Sequence, residues 1–309
     1  MHEARKGAYY TGSAAPRRPQ MTASITILRI LALTAGLAWP GLAAAACPSH
    51  ERIAAIARAW DERESLRGLS PGLSMRDAEC GRKRLVEALQ LTQGRIVGYK
   101  AGLTNKAIQE KLGISSPVRG VLMEKMLLAD GAEVPASFGA RPVYEADLLV
   151  EVKDAAINKA KTHLDALRSL ARVIPFIELP DLMLAEGEKM TASLAVLINV
   201  GARRGVVGKG VPVEATDRFA AALASMRVVV TDQSGKELAS GKGAAILEHP
   251  LNAVLWLVED LAKSGVRLKS GDVLSLGTFT PPMPPKAGLV VTVRYEGLAG
   301  NPSVSVRFQ

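Results

Sequence analysis

Three carboxylates stand in apolar surroundings in this 309-residue chain: Glu145 and Asp147 in RPVYEADLLVEV, and Glu178 near the end of ARVIPFIELPD. A carboxylate removed from water is costly unless it is paired, hydrogen-bonded or bound to a metal. In a strand, positions 145 and 147 point to the same face while Ala146 packs on the other, so both acids could reach one ion. Oxygen donors with room left for water suit Mg²⁺ or Mn²⁺ better than zinc, which prefers nitrogen and sulfur. Lys100, in RIVGYKAGLTNKAIQ, lies between Gly98 and Gly102. The glycines would let backbone approach a ligand closely, and the ammonium could pair with a carboxylate or move a proton. Together these residues read as a site for a divalent cation and a small anionic molecule.

Spacing alone leaves other readings open. Glu145, Asp147 and Glu151 could face solvent along a strand whose polar side is wet, Glu178 could sit in a surface turn at ELPD, and Lys100 could be a strand-end lysine in water. His163 and His249 have no partner at metal-ligand spacing and read as structural. The patterns GxGxxG and GxSxG are absent, so nothing supports a dinucleotide site or a serine hydrolase.

The elements that must position these residues follow from periodicity. Ile53, Ile56, Ala57 and Trp60 share one face of a helix over 51–60. After the break at GLSPGLS a second helix, MRDAECGRKRLVEALQLTQ, stops near Gly94. RIVGYKAGL reads as a strand and NKAIQEKLG as a short helix closed by Gly113. Residues 117–137 are turn-rich and suit a mobile covering loop. PVYEADLLVEV is a strand, 159–173 a helix, and VIPFIEL a short buried strand. A hairpin turns at Gly235, the amphipathic helix HPLNAVLWLVEDLAKSG ends at Gly265, and the last strands lie in GDVLSLGTFT and GLVVTVRYEGLAGNPSVSVRF. The pattern predicts a mixed α/β (α+β) fold with a β-rich core and a helical N-terminal region.

The N-terminal end reads as an address. From Met21, MTASITILRILALTAGLAWPGLAAAACPSH has a short charged region at Arg29, an apolar stretch and small residues at Ala44 and Ala46, the pattern of a secretory signal cleaved near Ala46. The competing reading is a membrane anchor over 25–46, which is long enough to span. On the signal reading, residues 1–46 are removed, residues 1–20 need not be translated, and 47–309 form a single catalytic-type domain, periplasmic or secreted. The removed segment holds five Arg or Lys residues against Glu3, so the formal charge of +9 falls to +5. With no long basic run and aromatics at 4%, a nucleic-acid platform is excluded. A mild positive balance suits a small anionic substrate, and a homo-oligomer is compatible with the composition. Cys47 and Cys80 are the two cysteines; a disulfide between them, lipidation of Cys47, and two free thiols are all open.

Several segments, GRIVGYKAGLTNKAIQEKLGISSPVRGVL, RPVYEADLLVEV, VIPFIELPD, GKGAAILEHPLNAVLWLVEDLAKSGVRLKSGDVLSLGTFTPPMPPKAG and SVSVRF, come in one order. In that order the chain resembles the 2-keto-4-pentenoate hydratase and 4-oxalocrotonate decarboxylase group of the fumarylacetoacetate hydrolase superfamily, over about residues 54–309. The resemblance implies a β-rich roll of the fumarylacetoacetate hydrolase C-terminal type. It implies Mg²⁺ or Mn²⁺ held by Glu145, Asp147 and Glu178, and Lys100 as the active-site lysine. It also implies a hydro-lyase acting on a 2-hydroxydienoate or 2-oxo acid such as 2-hydroxypenta-2,4-dienoate, with 4-oxalocrotonate-type decarboxylation or a degenerate periplasmic 2-oxo acid binding protein as alternatives. Four positions depart from the group's pattern. Asp147 stands where a second Glu is usual, Val118 where an Asp commonly follows the loop proline, MTASLAV replaces an ADN-x-S segment around Ser193, and Leu289 follows Gly288 where an acid is common. The two middle departures remove groups that would handle water or protons.

The export reading has a direct check. Intact-mass analysis of the chain recovered from the periplasm is expected to give an N-terminus at Cys47 with no added lipid, and retention of residues 21–46 would contradict it.

Overall fold

The computed structural model describes residues 47–69 and 72–309; the signal segment, with its start at Met21 and its cleavage point at Ala46, lies outside the described residues. The described residues fall in one compact unit. Its helices are α1 (His50–Glu62), α2 (Met75–Gln93), α3 (Lys106–Leu112), α4 (His163–Arg168), α5 (Ala192–Leu197), α6 (Asp217–Ser225) and α7 (Pro250–Lys263). Its strands are β1 (Ile96–Gly102), β2 (Val118–Met123), β3 (Leu127–Ala129), β4 (Ala132–Val134), β5 (Glu145–Val152), β6 (Leu170–Leu179) and β7 (Arg204–Val207), followed by β8 (Val211–Pro212), β9 (Arg227–Thr231), β10 (Glu237–Lys242), β11 (Val273–Ser275), β12 (Val290–Glu296) and β13 (Ser303–Phe308). The larger sheet runs β2-β1-β11-β5-β6-β7-β3, with β8 added against β6, and the smaller runs β10-β9-β12-β13-β4. No helix among the described residues is long and apolar enough to cross a membrane.

The larger sheet is buried on both faces, which is why β5 reads as an almost unbroken apolar run. Leu148 and Val150 pack into a core shared with the smaller sheet and with Leu251, Val254 and Leu257 of α7. Leu149, Ile174 and Phe176 point the other way, into a second core built with Ile56 of α1, Leu85 and Leu89 of α2, and Leu197 of α5. Glu145 and Asp147 belong by alternation to this second face. Helix α2 is set close to α5: a Cβ at Gly81 would lie 2.4 Å from Leu197 Cδ1. A disulfide joins Cys47 to Cys80, with Cα atoms 5.5 Å apart and 33 positions between them in sequence. It ties the start of the described chain to α2, leaves no free cysteine among the described residues, and on the chain-entropy account stabilises by about 4 kcal/mol.

Two expectations fail. Residues 117–137 are not a covering loop: β2 is buried along its whole length and pairs with β1, while β3 and β4 pair in parallel with β7 and β13. β2, buried on both sides, and β3 and β4, three residues each, show no alternation to read. The helix expected over 159–173 is confined to α4, started by a Thr162–Asp165 capping box. From Leu170 the chain joins β6, because Arg172 and Val173 find ladder partners in Glu151 and Val150, and pairing overrides the helical spacing.

The two histidines are structural, as expected. His249 caps α7, its Nδ1 accepting from Leu251 N at 3.0 Å and its Nε2 donating to Ala220 O at 3.1 Å; those partners assign the neutral Nε2–H tautomer. His163 stacks on it with ring centroids 4.0 Å apart. Burial first, then His163, pushes His249 below the ordinary histidine value. A depressed folded value means that this stabilisation is complete above the unfolded pKa of about 6.5 and is lost as pH falls through the folded one. The melting-temperature advantage of wild type over His249→Asn, which retains a capping side chain, is therefore expected to shrink from pH 7 to pH 5. An advantage independent of pH would contradict it.

Candidate active site

Sheet register brings the acids together. In the β5–β6 ladder Glu145 is directly opposite Glu178, and Asp147 is opposite Phe176. Like charges placed directly across a ladder destabilise it, so this pair needs a counter-charge. On the other side of β5, strand β11 supplies polar partners to Asp147. Ser275 Oγ donates to its Oδ2 at 2.8 Å, and Gly277 N and Leu148 N donate to its Oδ1 at 3.1 and 2.5 Å. Strand β1 lies beyond β11, with Lys100 in register with Ser275. The Lys100 ammonium forms an ion pair with Glu178 Oε1 and donates to Val200 O at 2.9 Å. Asp147 is 0%, Glu178 2% and Lys100 3% exposed, which removes the wet-edge, surface-turn and strand-end readings. The two half-buried acids of β5 are Glu145, at the cavity, and Glu151, which pairs with Arg172.

Sequence reasoning missed the residues that hold the lysine. Gly120 is opposite Lys100 in the β1–β2 ladder, and a Cβ there would lie 2.7 Å from Lys100 Cγ and 2.9 Å from Asn199 O. Glycine at 120 thus leaves the channel through which the lysine stem runs. Asn199, Val200 and Gly201 all have φ near +60° (55°, 54° and 67°), a region costly for a β-branched residue, by about 1–3 kcal/mol. The turn is held by Asn199, whose Oδ1 accepts from Val121 N at 2.8 Å and whose Nδ2 donates to Val121 O at 2.9 Å. It delivers the Val200 carbonyl to Lys100. Nothing in the spacing INVG announces it, although Asn and Gly, which flank Val200, are the residues that most readily take left-handed backbone. Asp181 was also missed. It accepts from Ala140 N, Arg141 N and Met183 N at 2.8–3.1 Å and pairs with Arg203 at 3.3 Å, and Arg203 stacks 4.3 Å over the ring of Trp60, tying α1 to the end of β6. Gly98, expected to admit a ligand, instead admits protein: a Cβ there would lie 2.0 Å from Val273 O.

Lys100, Glu145 and Glu178 line a cavity of about 250 Å³ whose remaining walls include Leu103, Thr104, Ile108, Leu182, Met190, Ile198, Val200 and Thr278. Asp147 lies behind this wall. Val118 is buried in the second core and Ser193 Oγ lies 3.1 Å from Thr191 Oγ1, so neither departure from the group's pattern brings a polar side chain to the cavity. Leu289 packs at the edge of the first core.

Burial first, then Glu178, pushes the Glu145 carboxyl up to about 8, with Asp147 adding and Lys100 opposing. The same two causes push Asp147 up to about 7 against its hydrogen bonds from Ser275 and Leu148. One ammonium faces three carboxylates, and the buried Glu178 Oε1 receives no hydrogen bond beyond that ionic contact. An all-oxygen, charge-deficient set of this kind fits a hard divalent cation. Among the described residues, however, no three His, Cys, Asp or Glu side chains converge as a ready cage, because Asp147 is turned into its own hydrogen bonds. Glu145 and Glu178, which line the cavity, with Asp147 behind them, are the residues that would hold an ion. Folded values raised above the ordinary ones mean that the stability associated with the neutral carboxyls is complete below about pH 4 and is lost as pH rises through about 7 to 8. Metal-free protein is thus expected to lose melting temperature across pH 6–9, with Mg²⁺ or Mn²⁺ restoring more at higher pH. A metal effect that is absent, or that does not grow with pH, would contradict the fit.

No family model matches the chain. The 2-oxo-hept-4-ene-1,7-dioate hydratase of Escherichia coli is 29% identical over 262 residues, covering 81% of this chain and 94% of the relative. The 2-keto-4-pentenoate hydratase 1 of Dechloromonas aromatica (strain RCB) is 32% identical over 215 residues, 69% of this chain and 79% of the relative. Among solved structures, 4-oxalocrotonate decarboxylase from Pseudomonas putida G7 in complex with calcium and acetate matches with a TM-score of 0.72 at 27% identity, covering 85% of this chain and 99% of that one. Its complex with magnesium and adipate gives the same TM-score, so divalent cations occupy this fold in a close structural relative. The helical N-terminal region over a mixed-sheet core is the architecture the resemblance implied. The chain therefore belongs to the 2-keto-4-pentenoate hydratase and 4-oxalocrotonate decarboxylase family of enzymes, within the fumarylacetoacetate hydrolase superfamily.

Proposed function

We propose that the protein is an exported, divalent-metal-dependent hydro-lyase acting on a short 2-hydroxydienoate or its 2-oxo tautomer. The observation that carries the reading is the Lys100 ammonium, set between Glu178 and the Val200 carbonyl at the acidic end of an otherwise apolar cavity. Mg²⁺ or Mn²⁺, when bound, supplies Lewis acidity toward the oxygens of the 2-oxo acid. Glu145 and Glu178 would hold the ion, and Asp147, fixed by Ser275 and Gly277, positions the end of β5. Lys100 binds the substrate carboxylate and is the one basic side chain on the wall able to pass a proton. Ketonisation moves a proton from the 2-hydroxyl to C5, leaving a conjugated enone; water then adds its hydroxyl to C4 and its proton to C3. The apolar walls keep other water away from the enone. The Cys47–Cys80 bond supports export, because disulfides persist in oxidising compartments.

A second reading is favoured by Val118, a buried valine where the group commonly places an acid: decarboxylation, or binding of a 2-oxo acid without turnover. Assays of the mature protein on 2-hydroxypenta-2,4-dienoate and 4-oxalocrotonate with Mg²⁺ or Mn²⁺ separate the readings. Hydration abolished by chelator, with kcat at least about 100-fold lower in Lys100→Met and Glu178→Gln, is expected. Release of carbon dioxide, or metal-dependent binding without product, would establish the second reading, and neither turnover nor binding would sink both.

A further inference from the structure

The walls of the cavity divide by charge. Lys100, Glu145 and Glu178 occupy one end, and Lys100 is committed there by its contacts with Glu178 and Val200 O. Among the described residues the rest of the lining contains no other lysine, arginine or histidine and is mainly Leu103, Ile108, Leu182, Met190, Ile198 and Pro282. The polar side chains among these walls are neutral: Thr104, Asn105, whose Oδ1 accepts from Ile108 N at 3.3 Å, and Thr278, whose Oγ1 donates to Thr280 O at 2.7 Å. Ile108, 42% exposed, carries the apolar lining out to the rim on α3.

We infer that the substrate of this cavity carries one carboxylate, at the Lys100 end, and an uncharged apolar tail running toward Leu182, Met190 and Ile108. This rests on the 2-oxo acid reading above and narrows it. A second carboxylate on the tail would leave water without gaining a cation, its only uncommitted side-chain donors there among the described residues being the neutral Thr104 hydroxyl and Asn105 amide, a cost that falls on binding. An alkyl tail at the same place gains by burial against leucine, isoleucine and methionine.

A matched pair of substrates tests this. With Mg²⁺ present, kcat/KM for 2-hydroxyocta-2,4-dienoate is expected to exceed that for the similarly sized 2-hydroxyhepta-2,4-dienedioate by at least about 100-fold, the scale set by stranding a carboxylate in an apolar pocket. Equal or better use of the diacid overturns the inference while leaving the hydro-lyase reading standing. If neither is turned over, that reading fails, and calorimetric binding of 2-oxooctanoate against 2-oxoheptanedioate decides the tail separately. Tighter binding of the monoacid upholds the inference; equal or tighter binding of the diacid, or no binding of either, overturns it. Ile108→Arg, at an exposed position where folding is not at stake, is expected to narrow the monoacid preference about tenfold. An unchanged ratio overturns the placement of the tail.

Discussion

One buried cation among three carboxylates sets the terms for the rest of the molecule. Lys100 and Glu178 are both almost sealed from water, and neither charge could stay there alone: breaking a buried pair leaves an uncompensated charge at a cost of several kcal/mol. The pair still does not neutralise its surroundings, because Glu145 is opposite Glu178 in the ladder and Asp147 lies one repeat further along β5. The imbalance is what fits the site to a cation, where a balanced pair would be purely structural. A stability-optimised sheet would place apolar residues at these positions, as β5 does at Leu148, Leu149 and Val150.

Holding that arrangement uses structure far from the cavity. The lysine stem needs the bare backbone of Gly120, its ammonium needs the carbonyl of a strained Val200, and the strained turn needs both hydrogen bonds of the Asn199 amide. Helix α5, which leads into that turn, rests on α2 through Leu197 over Gly81, and α2 is fixed to the start of the described chain by the Cys47–Cys80 bond. Rigidity therefore runs from the disulfide through two helices to a single carbonyl oxygen. A site whose chemistry depends on a few tenths of an ångström around one ammonium requires such support.

What could be read in the residues was the chemistry and the central strands. Glu145, Asp147, Glu178 and Lys100 were visible because charged residues inside apolar runs violate the ordinary pattern, and β5 and the core of β6 because their runs are long and β-branched. The strands β2, β3 and β4 were hidden for the opposite reason: each is short, and β2 is buried on both sides, so no period distinguishes it from a loop. Asn199 and Gly120 were invisible because their roles are defined by contacts across 78 positions and across a strand ladder, which no local window contains. Gly98 was misassigned by the same limit. A glycine signals close approach, but the sequence does not say what approaches.

The division of labour inside the cavity bears on which step of the reaction the protein is built to assist. The groups proposed to act on a 2-oxo acid, Lys100 and the carboxylate pair that would hold the ion, converge at one end, whereas the position that could steer water carries the buried Val118, and Ser193 is turned toward Thr191. Ketonisation and decarboxylation both run through stabilisation of negative charge on the 2-oxo oxygen and ask little more of the protein. Addition of water at C4 asks in addition for a group that orients the attacking oxygen, and the polar candidates left along the wall are Thr104, Asn105 and Thr278. The Thr278 hydroxyl donates to Thr280 O, while Thr104 is buried at 4% exposure against Gly277, whose missing Cβ would lie 2.3 Å from its hydroxyl. A water-adding enzyme with these walls would orient its water from Thr104 or Asn105, whose hydroxyl and amide are the polar groups of the described lining not given over to backbone.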